Sequence, residues 1–138
     1  MKHNNSTRQV GMRMFLVLIV MMMSSAFAMA QDNYGFKVAG VDVTSDNYLD
    51  LTEISGVSGK VYFDPNTRTL TLDNATIEVD GCNAILNQSC RYLVIELLGT
   101  NTVNVTNSAG IYTCESTVIM GGSGSTLTIK NDRCAVLF

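Results

Sequence analysis

The apolar and polar positions of this chain fall into two regimes. Met14 to Met23 (MFLVLIVMMM) is an unbroken apolar run of ten residues with no amphipathic period. Beyond Gln31 the pattern changes to short apolar/polar alternation bounded by Gly, Asn, Ser and Thr. Such alternation marks half-buried β-strands. The clearest unit is a hairpin. Val61-Tyr62-Phe63 is one strand, Asp64-Pro65-Asn66-Thr67 a turn, and Thr69-Leu70-Thr71-Leu72 the return strand. Asp suits the first turn position and Pro presets φ at the second. Phe36 to Val43 (FKVAGVDV) reads as a strand pair or as a strand bent at its glycine. Thr44 to Gly59 reads as a polar connection, and its best helical stretch, Asn47 to Ile54, sustains no face.

From Asn74 onward the alternation repeats. Leu93-Val94-Ile95 matches Thr117-Val118-Ile119, and Val103-Asn104-Val105 matches Leu127-Thr128-Ile129, both at a spacing of 24. Ser108 to Ile111 matches Arg133 to Val136 at 25, and Ile77-Glu78-Val79 matches Val103-Asn104-Val105 at 26. An all-strand unit of 24–26 residues predicts one coil of a β-helix. Equivalent strands then stack about 4.8 Å apart. The expected inward ladders are Ile95 over Ile119, Val103 over Leu127 and Val105 over Ile129. The alternative is a β-sandwich whose hairpins look alike. A leucine-rich repeat shares the period but not the Asn/Leu pattern.

The N-terminal run takes its meaning from its flanks. Lys2, His3, Arg8 and Arg13 precede it, and Ala28 and Ala30 follow it in an A-x-A arrangement. These are the parts of a secretory signal peptide, and ten apolar residues are too few to span a bilayer, which takes about 20. The predicted organisation is a signal at 1–30, N-terminal strands and a capping hairpin at 31–73, and β-helix coils at 74–138 that stop after few turns. The product is exported, to periplasm, cell surface or medium, with no membrane span after cleavage. Residues 31–138 carry six basic and twelve acidic side chains, a net charge of −6. That balance argues against nucleic acid and anionic lipid as partners. The chain closes on Cys134-Ala135-Val136-Leu137-Phe138, an apolar edge expected to self-associate or to continue into further coils.

With these residues on the page, the chain resembles exported bacterial right-handed β-helix proteins of the carbohydrate-binding-domain type. The resemblance rests on Val38-Ala39-Gly40-Val41-Asp42-Val43-Thr44, on the hairpin from Val61 to Ile77, on Leu97-Leu98-Gly99-Thr100-Asn101-Thr102-Val103, and on Ala109-Gly110-Ile111-Tyr112 and Gly122 to Ile129. It covers nearly all of the chain after the signal. It implies a right-handed parallel β-helix and a non-enzymatic, glycan-binding or adhesive role at the cell surface, in some members with calcium. A structural or adhesive element with no sugar binding, or a fragment of a larger surface protein, is the alternative.

The chemistry of the residues agrees with a binding role. His3 is the sole histidine, so the coils hold no Ser-His or Cys-His nucleophile system. The acids scatter singly, without the facing pair that glycoside hydrolysis needs. A calcium-dependent polysaccharide lyase stays open through Asp73 and Asp80, which flank one strand near Arg68 and Arg91. Calcium is otherwise admitted at the Asp64 and Asp73-Asn74 turns. Tyr92 and Tyr112, at coil edges, are the aromatic candidates for stacking on sugar. Cys82, Cys90, Cys114 and Cys134 lack zinc-site spacing. Cys90 and Cys114 are one repeat apart, close enough for a disulfide if their side chains converge; buried, stacked thiols are the other reading. Cys82 and Cys134 fall two coils apart, about 10 Å, beyond the reach of a disulfide.

Overall fold

The computed structural model describes residues 31–138. The expected signal peptide lies outside the described residues. The described chain is almost entirely strand: β1 (Asn33–Val38), β2 (Val41–Thr44), β3 (Val57–Asp64), β4 (Thr69–Asp80), β5 (Ile85–Asn87), β6 (Leu93–Leu98), β7 (Thr100–Thr106), β8 (Ala109–Thr113), β9 (Thr117–Gly121), β10 (Thr126–Asn131) and β11 (Cys134–Leu137). A single 3-10 turn, Leu51–Glu53, interrupts them; Asp50 caps it and Leu51 is buried beneath it. No helix among the described residues is long and apolar enough to cross a membrane.

The strands wind as three coils of a partial parallel β-helix. The first half of β4 stacks on β6 and β6 on β9; the second half of β4 stacks on β7 and β7 on β10; β5 stacks on β8 and β8 on β11. All six of these pairings are parallel and in register, which rules out the sandwich of antiparallel hairpins. The inward positions form continuous ladders: Leu70, Ile95 and Ile119; Ile77, Val103 and Ile129; Ile85, Ile111 and Val136. In the first two coils these side chains are buried.

Two expected ladders move: Val103 does not lie over Leu127, nor Val105 over Ile129. Val103 lies beside Ile129 and Val105 beside Asn131, at a spacing of 26 and not 24. The cause is the turn before the strand. Leu98-Gly99 separates Leu97 from Thr100 in the second coil, whereas residues 122–125 separate Gly121 from Thr126 in the third. The two additional residues slide β10 by two positions. A slip of two keeps every side chain on its own face, because the strand period is two.

The hairpin forms as expected, with Phe63 opposite Leu70 and Val61 opposite Leu72. Its return strand does not end at Asp73. β4 continues to Asp80 and is itself the first side of the first coil, so the expected boundary at residue 73 falls inside one strand. β4 turns the corner at Asn74 (φ 49°), a residue that tolerates the left-handed region. FKVAGVDV is a hairpin, β1 with β2, closed by Ala39 and Gly40 at φ 49° and 79°. Both central residues at positive φ match the twist of two-residue hairpin turns. β1 also runs antiparallel to β5. Phe36 and Phe63 pack edge-on at 4.8 Å and Tyr34 tilts onto Phe63 at 5.0 Å, an aromatic lid over the first coil.

Candidate functional site

Two surface features follow from this winding. The first is the outer face of β3, β4, β7 and β10. Residues that alternate with the buried ladder point outward, and the register aligns them across strands. Ser58, Thr76, Thr102 and Thr128 form one row over four strands. Thr100 and Thr126 form a second, and Glu78, Asn104 and Lys130 a third. Asn104 Nδ2 donates to Glu78 Oε1 at 3.0 Å, while Asn104 Oδ1 is enclosed with no donor. The neighbouring outer face, over β6 and β9, differs: it exposes Leu98, Val118 and Met120.

Buried amides brace the coils beneath the polar face. Asn101, 1% exposed, accepts from Ala75 N at 2.9 Å and donates to Leu98 O at 3.1 Å and Thr126 O at 3.3 Å. It therefore ties all three coils together at the bend into β7. On the opposite side Asn87 accepts from Cys90 N and donates to Cys90 O, closing its own turn, and donates to Thr117 Oγ1 at the start of β9.

The second feature is a corner groove of about 400 Å³ between the β3–β4 turn and the β5–β6 turn, lined by Tyr34, Phe63, Pro65, Arg68, Ser89 and Arg91 among others. Arg68 Nη1 donates to the Arg91 carbonyl at 3.2 Å. Arg68 sits at φ 54° and Tyr92, next along from Arg91, at φ 59°.

The two tyrosines chosen from sequence do not meet. Tyr92 stands 68% exposed beside the corner groove. Tyr112 is half-buried in β8, between Leu86 and Leu137 in the stack, and a hydrogen bond with the Cys114 thiol raises its hydroxyl pKa. Neither belongs to the Thr row. All four cysteines are free thiols. Cys90 and Cys114 do not pair because they sit at different places in turns of unequal length, residues 88–92 between β5 and β6 and residues 114–116 between β8 and β9. Cys114 N donates to Asn87 O, Cys114 is exposed, and Cys90 is buried, its thiol pushed up by that burial. Asp64 is occupied by its own turn, accepting from Asn66 N and Thr67 Oγ1, and Asp73 accepts from Asn74 Nδ2. Among the described residues, no three His, Cys, Asp or Glu side chains gather as a metal-holding group.

The sequence suggested Thr and Asn rows as a polysaccharide face without fixing their members, and it named Arg68 and Arg91 only as neighbours of Asp73 and Asp80, not as a corner groove. The 26-residue spacing of Thr76, Thr102 and Thr128 was the signal for the first; the second had none, since it depends on how two turns stack. Nothing among known protein families, curated proteins or solved structures matches the chain.

Proposed function

We propose that this protein is a non-catalytic exported module that binds polysaccharide at the cell surface. The observation that supports this reading is the four-strand row Ser58, Thr76, Thr102 and Thr128, with the Asn104 row beside it. At about 4.8 Å per strand the row presents hydroxyls along roughly 14 Å. Sugar hydroxyls exchange one set of water hydrogen bonds for another, so each contact nets only about 0.5–1.5 kcal/mol. A polymer that engages the rows repeatedly gains by avidity what one unit lacks. Weak monosaccharide binding and retention on insoluble polymer are therefore expected together.

The test is a pull-down of the protein against a panel of insoluble polysaccharides, with and without calcium. Retention on one polymer is expected, and T76V/T102V/T128V should abolish it without moving the unfolding midpoint, since Val keeps the β-branched shape. Protein shown folded by circular dichroism and retained on nothing would overturn the reading.

A second reading, a structural or adhesive element that self-associates, is favoured by the third coil. Val118, Ile119, Met120, Leu137 and Phe138 are exposed apolar side chains, all on or next to β9 and β11. Exposed apolar patches on edge strands are sites of association. Sedimentation across a concentration series separates the two readings: a monomer at all concentrations removes the second.

A further inference from the structure

The corner groove differs in charge from the rest of the molecule. Residues 31–138 hold twelve acids against six bases, yet two of those bases, Arg68 and Arg91, line one groove and no carboxylate lines it. Each guanidinium has donors to spare, because Arg carries five N–H groups. The Arg68 side chain spends one on the Arg91 carbonyl, which pins it across the groove. Arg91 is 77% exposed and forms an ion pair with Glu115, Nε to Oε2 at 3.9 Å; the pair is longer than a hydrogen bond and solvent-screened, so an incoming oxyanion competes with it on the exposed side. The acids near the groove are weak competitors. Asp64 already accepts from Asn66 and Thr67, and more distant carboxylates are screened beyond about 8 Å at physiological salt. Burial keeps the Cys90 thiol protonated, so it adds no negative charge.

The backbone supplies an independent observation. Arg68 and Tyr92 occupy the left-handed region on either side of the groove, where an L side chain is strained relative to Gly. Asn74 and Asn107, also left-handed, are residues that adopt this region readily. Ala39, the fifth non-glycine residue in this region, closes the β1–β2 hairpin, which leaves Arg68 and Tyr92 as the two long side chains held there, both beside this groove. Side chains kept at strained positions point to a use for them.

We propose that this corner is a second binding site, taking the carboxylate or sulfate of a single acidic sugar unit between Arg68 and Arg91, with the half-buried Tyr34, backed by the buried Phe63, as its apolar wall. Guanidinium forks match planar oxyanions, and the aromatic wall faces the apolar side of a sugar ring. The net charge of −6 limits the ligand to isolated acidic units and disfavours dense polyanions. That the anion is borne by a sugar rests on the function proposed above; that the corner binds an anion does not.

The full chain, purified from cells that express it and labelled with nitrogen-15, is titrated with glucuronate, glucose 6-sulfate, glucose and inorganic sulfate at low and high salt. Glucuronate or glucose 6-sulfate should shift the amides of Ser89, Arg91 and Tyr92, glucose should not, and added salt should weaken the response. R91Q, at an exposed position, should cut the affinity about tenfold with an unchanged unfolding midpoint, and R68Q/R91Q should remove it. An equal response to glucose, or a null response to every anion, overturns the proposal. Inorganic sulfate as effective as the acidic sugars overturns its saccharide part. Retention on neutral polymer that survives R68Q/R91Q and disappears in T76V/T102V/T128V keeps the failure of this site distinct from failure of the polar face.

Discussion

Asn101 is the single side chain whose removal should unlink the coils beneath the polar face. In Asn101→Leu the branching at Cγ is kept and the side chain is not smaller, so no cavity forms, but three backbone groups lose their partner: Ala75 N–H, Leu98 C=O and Thr126 C=O. An orphaned buried donor costs about 1–3 kcal/mol, and each carbonyl, with a second lone pair free, falls at the low end of that range. The three together come to about 3–5 kcal/mol. The apolar replacement recovers about 1 kcal/mol of burial, leaving a net loss of roughly 2–4 kcal/mol. Against a total stability of about 5–15 kcal/mol for a domain, this is a large fraction. Urea unfolding followed by far-UV circular dichroism reads it as a lower midpoint at unchanged slope. Native-state exchange of the Ala75 amide should accelerate at the same time. A loss below about 1 kcal/mol at unchanged slope would refute the claim that this amide couples the coils.

Other predictions follow from individual residues. Gly59 sits at φ +90°, with Asn74 O only 2.4 Å from where a Cβ would stand, so Gly59→Ala should cost at least about 2 kcal/mol in urea unfolding. Backbone donation from Asn66 and the Thr67 hydroxyl hold the Asp64 carboxyl below its ordinary value. The folded-state value is then the lower one. Its contribution is present above the unfolded value near 3.9 and lost as pH falls through the folded one. The thermal midpoint should be flat from about pH 7 to 5 and decline below about 4, with a shallower decline in Asp64→Asn. Tyr92→Gly should raise the midpoint by relieving about 1 kcal/mol of backbone strain; unchanged glycan retention in that variant would show that the ring is no sugar platform. In a native thiol titration Cys114 should react at once and Cys90 only after urea is added, since one is exposed and the other buried.

The fold was legible wherever a local rule and a long-range rule agreed. The β3–β4 hairpin was readable because Asp64 and Pro65 dictate a turn while Leu70 and Leu72 set the buried face. The coil period was readable because Ile95 and Ile119 repeat an apolar triplet with no insertion between them. The slip in β10 was not. Leu127 and Ile129 both satisfy an inward position, and Gly122 to Ser125 absorb two extra residues without a change of parity. The continuity of β4 through Asn74 was hidden as well, because Asp73-Asn74 reads as a strand end when it is a corner of the coil.

Little of the candidate site could be read the same way, and the reason lies in what determines neighbours in a solenoid. Proximity depends on the remainder after whole coils are subtracted, and the coil length itself varies with each turn. Thr76, Thr102 and Thr128 keep one remainder because successive steps are both 26. Cys90 and Cys114, 24 apart, lose theirs because the register changes from 26 in the β5–β8 stack to 24 in the β6–β9 stack within the two unequal turns that hold them. Arg68 and Arg91 are 23 apart, which matches no strand spacing in the molecule, yet they share a groove because two turns of unequal length stack at one corner. Tyr92 and Tyr112 were chosen for residue type, and type does not say which side of the coil a residue occupies. A site built from turns is therefore the last part of such a chain to become legible, while a site built from strand faces can be found once the true register is known.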